Sequence, residues 1–171
     1  MKQWKYRTAV MGLAAVLAAT GTGFAFPSVE DFWQLVHTNQ IGTVSAEAEE
    51  ILEQVNQERR SHGLPELSLS QELTKVAQIK AEDMRDAGYF SHTSPTYGSA
   101  FDMMRIFGIT YRSAGENIAK GHRSADHVME GWMDSSGHRA NILNGSYTHL
   151  GVGYCTDERG TTYWVQMFLG E

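Results

Sequence analysis

Ser135-Ser136-Gly137-His138-Arg139-Ala140-Asn141-Ile142-Leu143 leads shortly into Leu150-Gly151-Val152-Gly153-Tyr154. In the first stretch a glycine tightens a turn, a short helix can begin, and His138 falls near its start. In the second, large residues alternate with small ones, the period-two pattern of a strand. Reading on, Asp157-Glu158-Arg159-Gly160 has turn chemistry, and Tyr163, Val165, Met167 and Leu169 alternate again. The C-terminal segment therefore reads as a β-hairpin.

The chain before this point is helical in pattern. Ser45 can cap a helix with Glu47, Glu49 and Glu50 in its first turns and Ala48, Ile51, Leu52 and Val55 at helical spacing. The acids suit the positive end of the helix dipole, and Arg59 and Arg60 fall at the other end. Gly63 and Leu64-Pro65 stop it. A second helix runs over 71–87, with Leu73, Val76, Ala77, Ala81 and Met84 on one stripe and Gly88 as its stop. Ser99-Ala100-Phe101-Asp102 resembles a capped start for a third, short helix ending at Gly108. A strand is expected around 116–119. Ser124 caps a fourth helix carrying Ala125, Val128, Met129 and Trp132. Helices first and an antiparallel hairpin last predict an α+β fold with helices packed on a small sheet.

The N-terminus reads as a targeting segment. Lys2, Lys5 and Arg7 precede the uncharged run 9–19, and Gly23-Phe24-Ala25 supplies the small residues a signal peptidase reads. We expect a signal peptide over 1–25, a linker or loosely docked arm over 26–46, and one domain over 47–171. The run is broken by Thr20, Gly21, Thr22 and Gly23, so a spanning helix, which needs roughly 20 predominantly apolar residues, is not expected once the signal is cleaved. Cleavage leaves about 146 residues, enough for one core, and takes the net charge from -6 to about -9 because three cations and no acids are lost. A chain this acidic lacks the basic stripe of a nucleic-acid binder. With Cys155 as the single cysteine, no intramolecular disulfide can form. Cys155 is expected inside, as a small apolar residue.

Three groups can carry chemistry. His92 follows Tyr89 and Phe90 and precedes a Ser-Pro turn. It is either an acid-base or ligand group, or a histidine bonded to its own loop. Glu116, in Gly115-Glu116-Asn117-Ile118-Ala119, stands at the start of an apolar run, where a carboxylate must be paired, hydrogen-bonded or metal-bound. His138 is the third. Their spacing has no local metal signature, although imidazole and carboxylate suit zinc, and equally suit a general base with an orienting acid. His122 and His127 are expected on the surface. Met103, Met104, Met129, Met133 and Met167 are expected as core filler. No nucleophile elbow, phosphate loop or Cys-His pair is present.

The blocks Val55-Asn56-Gln57-Glu58-Arg59, Phe90-Ser91-His92, Gly115-Glu116-Asn117, Trp132 with Gly137-His138-Arg139-Ala140-Asn141-Ile142-Leu143, and Leu150-Gly151-Val152-Gly153-Tyr154 resemble, in order and spacing, the bacterial branch of the CAP superfamily of cysteine-rich secretory, antigen 5 and pathogenesis-related proteins. The resemblance spans 51–168 and implies an α-β-α sandwich, an extracellular or secreted protein with cell-wall or spore association open, and a cleft with two histidines and two acids that in some members holds a divalent metal. It implies His92, Glu116 and His138 as cleft and metal residues, with zinc or another divalent cation as the cofactor. The second acid would stand three residues after Trp132, where this chain has Ser135; Asp134 beside it points elsewhere on a helix. The cleft set is thus His92, Glu116, His138, Ser135 and Asn117. The expected function is a monomeric extracellular binding module for an envelope, peptide or lipid ligand. The alternative is a metal-assisted, peptidase-like hydrolase using His92, Glu116 and His138.

Overall fold

A computed structural model describes residues 44–171. The expected signal peptide and the expected arm as far as residue 43 lie outside the described residues. The helix starts are set by local chemistry. Ser45 accepts from the Ala48 amide at 3.2 Å and opens α1, Ala46–Ser61. Two short residues of strand, β1 Ser68–Leu69, precede α2, Gln71–Asp86, which Ser70 caps. Then come β2 Thr93–Ser94 and β3 Gly98–Ser99, which pair with each other, and α3 Ala100–Ile106. Here Ser99 and Asp102 form a reciprocal capping box. Gly63, Gly88 and Gly108 follow three of the helices at positive φ, as the stop signals require.

The rest of the chain builds the sheet and its second layer. β4 is Ser113–Lys120, α4 Ala125–Asp134, α5 Ser136–Ile142, β5 His149–Thr156 and β6 Thr162–Gly170. The four-stranded sheet has the order β1-β5-β6-β4. β5, β6 and β4 are antiparallel, as expected, and the two-residue β1 adds to the far edge in parallel. Neither β1 nor the small β2–β3 hairpin was legible, since two residues carry no period.

Both faces of the sheet are covered, so all nine residues of β6 are buried. On one face Leu150, Val152, Trp164 and Phe168 pack with Ile51 and Val55 of α1 and Val128 and Trp132 of α4. On the other, α2 lies almost on the backbone of β5. A Cβ built on Gly151 would stand 2.4 Å from the Leu73 carbonyl carbon, and one on Gly153 would stand 2.1 Å from the Ala77 oxygen. The alternation of large and small residues in β5 thus serves two layers, with Leu150 and Val152 filling one side and the glycines admitting α2 on the other. The result is an α-β-α sandwich. The buried Cys155 and the buried Met103, Met104, Met129 and Met167 fill it as expected.

Arg59 departs from its expected place. Its side chain is fully buried rather than solvated at a helix end. The guanidinium donates to the carbonyls of Pro65 at 2.8 Å, Ile142 at 2.8 Å and Asn144 at 2.9 Å, tying α1 to the end of α5. Falling four residues after Val55, it continues the apolar stripe, and that placement was the available signal. His122 also differs. It is half-buried, donates from Nδ1 to the His127 carbonyl at 3.1 Å, and meets the exposed His127 ring edge-on.

Candidate functional site at the edge of the sheet

The edge strand β4 organises the candidate residues. Successive side chains of a strand point to opposite faces. Glu116 reaches the layer of α2 and Asn117 the layer of α5. On the first side, His92 Nδ1 donates to Glu116 Oε1 at 2.7 Å. The Glu116 side chain is 4% exposed and the His92 side chain 60% exposed. A buried carboxylate therefore backs an exposed imidazole and leaves Nε2 as the free ring nitrogen. This bond holds the His92 pKa above its ordinary value, against burial. The second carboxylate oxygen, Glu116 Oε2, is buried without a hydrogen-bond partner.

His138, half-buried on α5, comes from the opposite layer. Burial and then the positive charge of His92 push its pKa below the ordinary value. The two imidazoles are separated by 46 positions in the sequence.

The main chain under each of the three residues is gripped by a neighbouring side chain. Lys80 Nζ donates to the His92 carbonyl at 3.2 Å. Asn141 Nδ2 donates to the Glu116 carbonyl at 3.1 Å. Asn117 Nδ2 donates to the His138 carbonyl at 3.1 Å. The two asparagines are also joined, Asn141 Nδ2 to Asn117 Oδ1 at 2.8 Å, and Asn117 continues to Gln166 Oε1 at 3.0 Å. Asn117, expected at the cleft, is fully buried and binds α5 to β4 instead of facing solvent. Lys80 and Gln166 were not singled out in the sequence. Lys80 stands within the apolar stripe of α2, which is where a buried charge shows itself.

Ser135 is both the C-cap of α4 and the N-cap of α5, and it is half-buried with no side-chain capping bond. As N-cap it shares the first-turn face with His138 three residues on. Asp134 lines a groove between α1 and α4 with Glu58, Asp126 and Glu130, away from His92. Among the described residues, no three His, Cys, Asp or Glu side chains stand together at metal-ligating spacing. Glu116 Oε2 is buried, while the free Nε2 of His92 lies on the far side of the ring, so the two do not converge on one cation as arranged, and His138 does not complete a set of three.

The family model of the cysteine-rich secretory proteins, CAP, matches residues 52–168. The chain belongs to the CAP family. Over 134 residues this CAP domain is 49% identical to the Bacillus subtilis protein YkwD, covering 78% of the chain and 51% of YkwD. It is 41% identical over 120 residues to the Bacillus subtilis membrane protein YlbC, covering 70% of the chain and 33% of YlbC. The chain thus spans about half the length of one relative and a third of the other. A solved extracellular protein of Bacillus anthracis containing an SCP domain superposes with a TM-score of 0.68 at 33% identity, over 88% of this chain and 45% of that one. Among the described residues of this CAP domain, no helix is long and apolar enough to cross a membrane.

Proposed function

We propose that this CAP domain is an exported binding module whose cleft, at the β4 edge, recognises a component of the cell envelope. His92, Glu116 and His138 form the recognition set, Ser135 lies beside it, and Asn117 holds it from below. The carrying observation is the 2.7 Å His92–Glu116 bond beside a histidine of opposite pKa shift. It presents an exposed imidazole in fixed orientation, a donor to a carboxylate or phosphate on a ligand. Export is supported by the targeting pattern before residue 26 and by the extracellular neighbour. An acidic chain of this kind is not directed to nucleic acid.

The test is NMR titration of 13C-labelled histidine side chains with soluble cell-wall peptides and, separately, with lipid vesicles. Saturable movement of His92 and His138, lost in His92→Ala, supports binding. No movement with either probe removes this reading.

A metal-assisted hydrolase is the second reading, favoured by Glu116 Oε2, a buried acceptor with no partner. A bound divalent cation would supply Lewis-acid polarisation. As arranged, the residues do not converge on one cation, so no step is routed through it. Peptide hydrolysis by the zinc-loaded protein, abolished in both His92→Ala and His138→Ala, would establish it.

A further inference from the structure

Beneath the His92 loop lies a lysine whose burial is costly. Lys80 is fully buried on α2. Its Nζ donates to the Tyr89 hydroxyl at 3.2 Å and to the His92 carbonyl at 3.2 Å. Among the described residues it joins no ion pair. An ammonium removed from water without a directly paired counter-ion is unfavourable, and replacing such a group by a well-packed apolar side chain is often neutral or stabilising. Burial pushes the Lys80 pKa down, while the charges of Glu116 and then Asp83 pull it up. Among the described residues no hydrogen bond or close ion pair joins Lys80 to Glu116, so this attraction acts through space.

One helical turn further, Asp83 anchors the same loop. Its Oδ2 accepts from the Tyr89 hydroxyl and, at 2.7 Å, from Ser94 Oγ; its Oδ1 accepts from Thr96 Oγ1 at 3.2 Å. Ser94 Oγ in turn accepts from the Thr96 and Tyr97 amides, both at 2.9 Å. Asp83 thus fixes the loop on either side of the Ser-Pro turn, and Lys80 fixes the residue that bears the imidazole. The two donor inventories also match. An ammonium has three N–H groups and Lys80 uses two, while Glu116 Oε2 is buried and accepts none.

We propose that Lys80 is a positioning residue of the cleft, which grips the His92 carbonyl and so fixes the loop that keeps the imidazole on the carboxylate. The proposal rests on the reading of His92 and Glu116 as cleft residues, and its test contains no ligand, so the two fail separately.

In the full chain, Lys80→Met removes donor and charge, and Lys80→Gln retains a donor without the charge. The readouts are the downfield Nδ1–H proton of His92 and the 13C shift of the His92 carbonyl. The methyl spectrum of the core and the side-chain amides of Asn117 and Asn141 report that the fold is intact. The expected result is loss of the Nδ1–H resonance and a moved carbonyl shift in Lys80→Met, with a smaller change in Lys80→Gln. A folded Lys80→Met protein with both signals unchanged overturns the proposal. Should Lys80→Met not fold, the 15Nζ resonance of Lys80 is compared between wild type and Glu116→Gln. A shift is expected, and an unmoved resonance overturns the proposal.

Discussion

His92 and Glu116, 24 residues apart in the sequence, are joined by a 2.7 Å hydrogen bond from an exposed imidazole to a carboxylate buried at the edge of the sheet. Burial alone would lower a histidine pKa, so the upward shift at His92 comes from Glu116, through this bond first and through its charge second.

In a histidine-resolved NMR titration, His92 should have its midpoint above 6.5 and His138 below it. Glu116→Gln should bring the His92 midpoint down. The consequences for stability have opposite signs. The His92 contribution is fully present below the unfolded-state value and is lost as pH rises through the raised folded value. For His138 the folded value is depressed, so stability is lost as pH falls through the unfolded value toward the folded one. The wild-type advantage over Glu116→Gln in urea unfolding should therefore be larger at about pH 5 than at about pH 8. An advantage independent of pH would separate the bond from the titration.

Calorimetric titration of zinc into the metal-free protein should show no tight one-site binding, because among the described residues no three His, Cys, Asp or Glu side chains stand together, and zinc sites commonly use three or four ligands. Ser135→Glu places a carboxylate on the first-turn face shared with His138, and should strengthen zinc binding by about tenfold or more. Tight binding by the wild type, lost in both His92→Ala and His138→Ala, would show that His138 closes onto the pair.

Gly153→Ala should destabilise the domain by about 3 kcal/mol, since the added methyl meets the Ala77 carbonyl at 2.1 Å and α2 must be displaced from the sheet. Urea unfolding measures it. A loss under about 1 kcal/mol would mean that α2 shifts at little cost.

Cys155 should resist alkylation in the native protein and react on unfolding. Burial pushes its thiol up to about 11, so the thiolate is scarce at neutral pH, and the side chain is 7% exposed. Rapid native-state labelling would show that the β5–β6 hairpin opens readily.

Much of the fold was legible because its signals are local. Ser45, Ser99 and Ser124 each accept an amide three residues on, and a reader of the sequence needs only those few residues to place a helix start. The hairpin from Leu150 to Leu169 is likewise written in its alternation and its turn. The resemblance to the CAP superfamily implied His92, Glu116 and His138 as a set, and the fold joins two of them, His92 and Glu116, by a hydrogen bond. The resemblance did not distinguish Asn117 at the cleft from Asn117 buried beneath it, because a polar residue in a strand looks the same whichever layer it enters.

What the sequence determined by itself was the order of the longer helices and strands, three candidate chemical groups and a net acidic charge. The tertiary structure alone decided which face of β4 each group serves, that Glu116 spends one oxygen on His92, and that Arg59 and Lys80 lie inside. The physical reason is the same throughout. Caps, turns and periodicity are fixed by neighbours within a few residues. The partner of a buried charge is fixed by packing between layers, over separations such as the 83 residues from Arg59 to Ile142 or the 24 from His92 to Glu116.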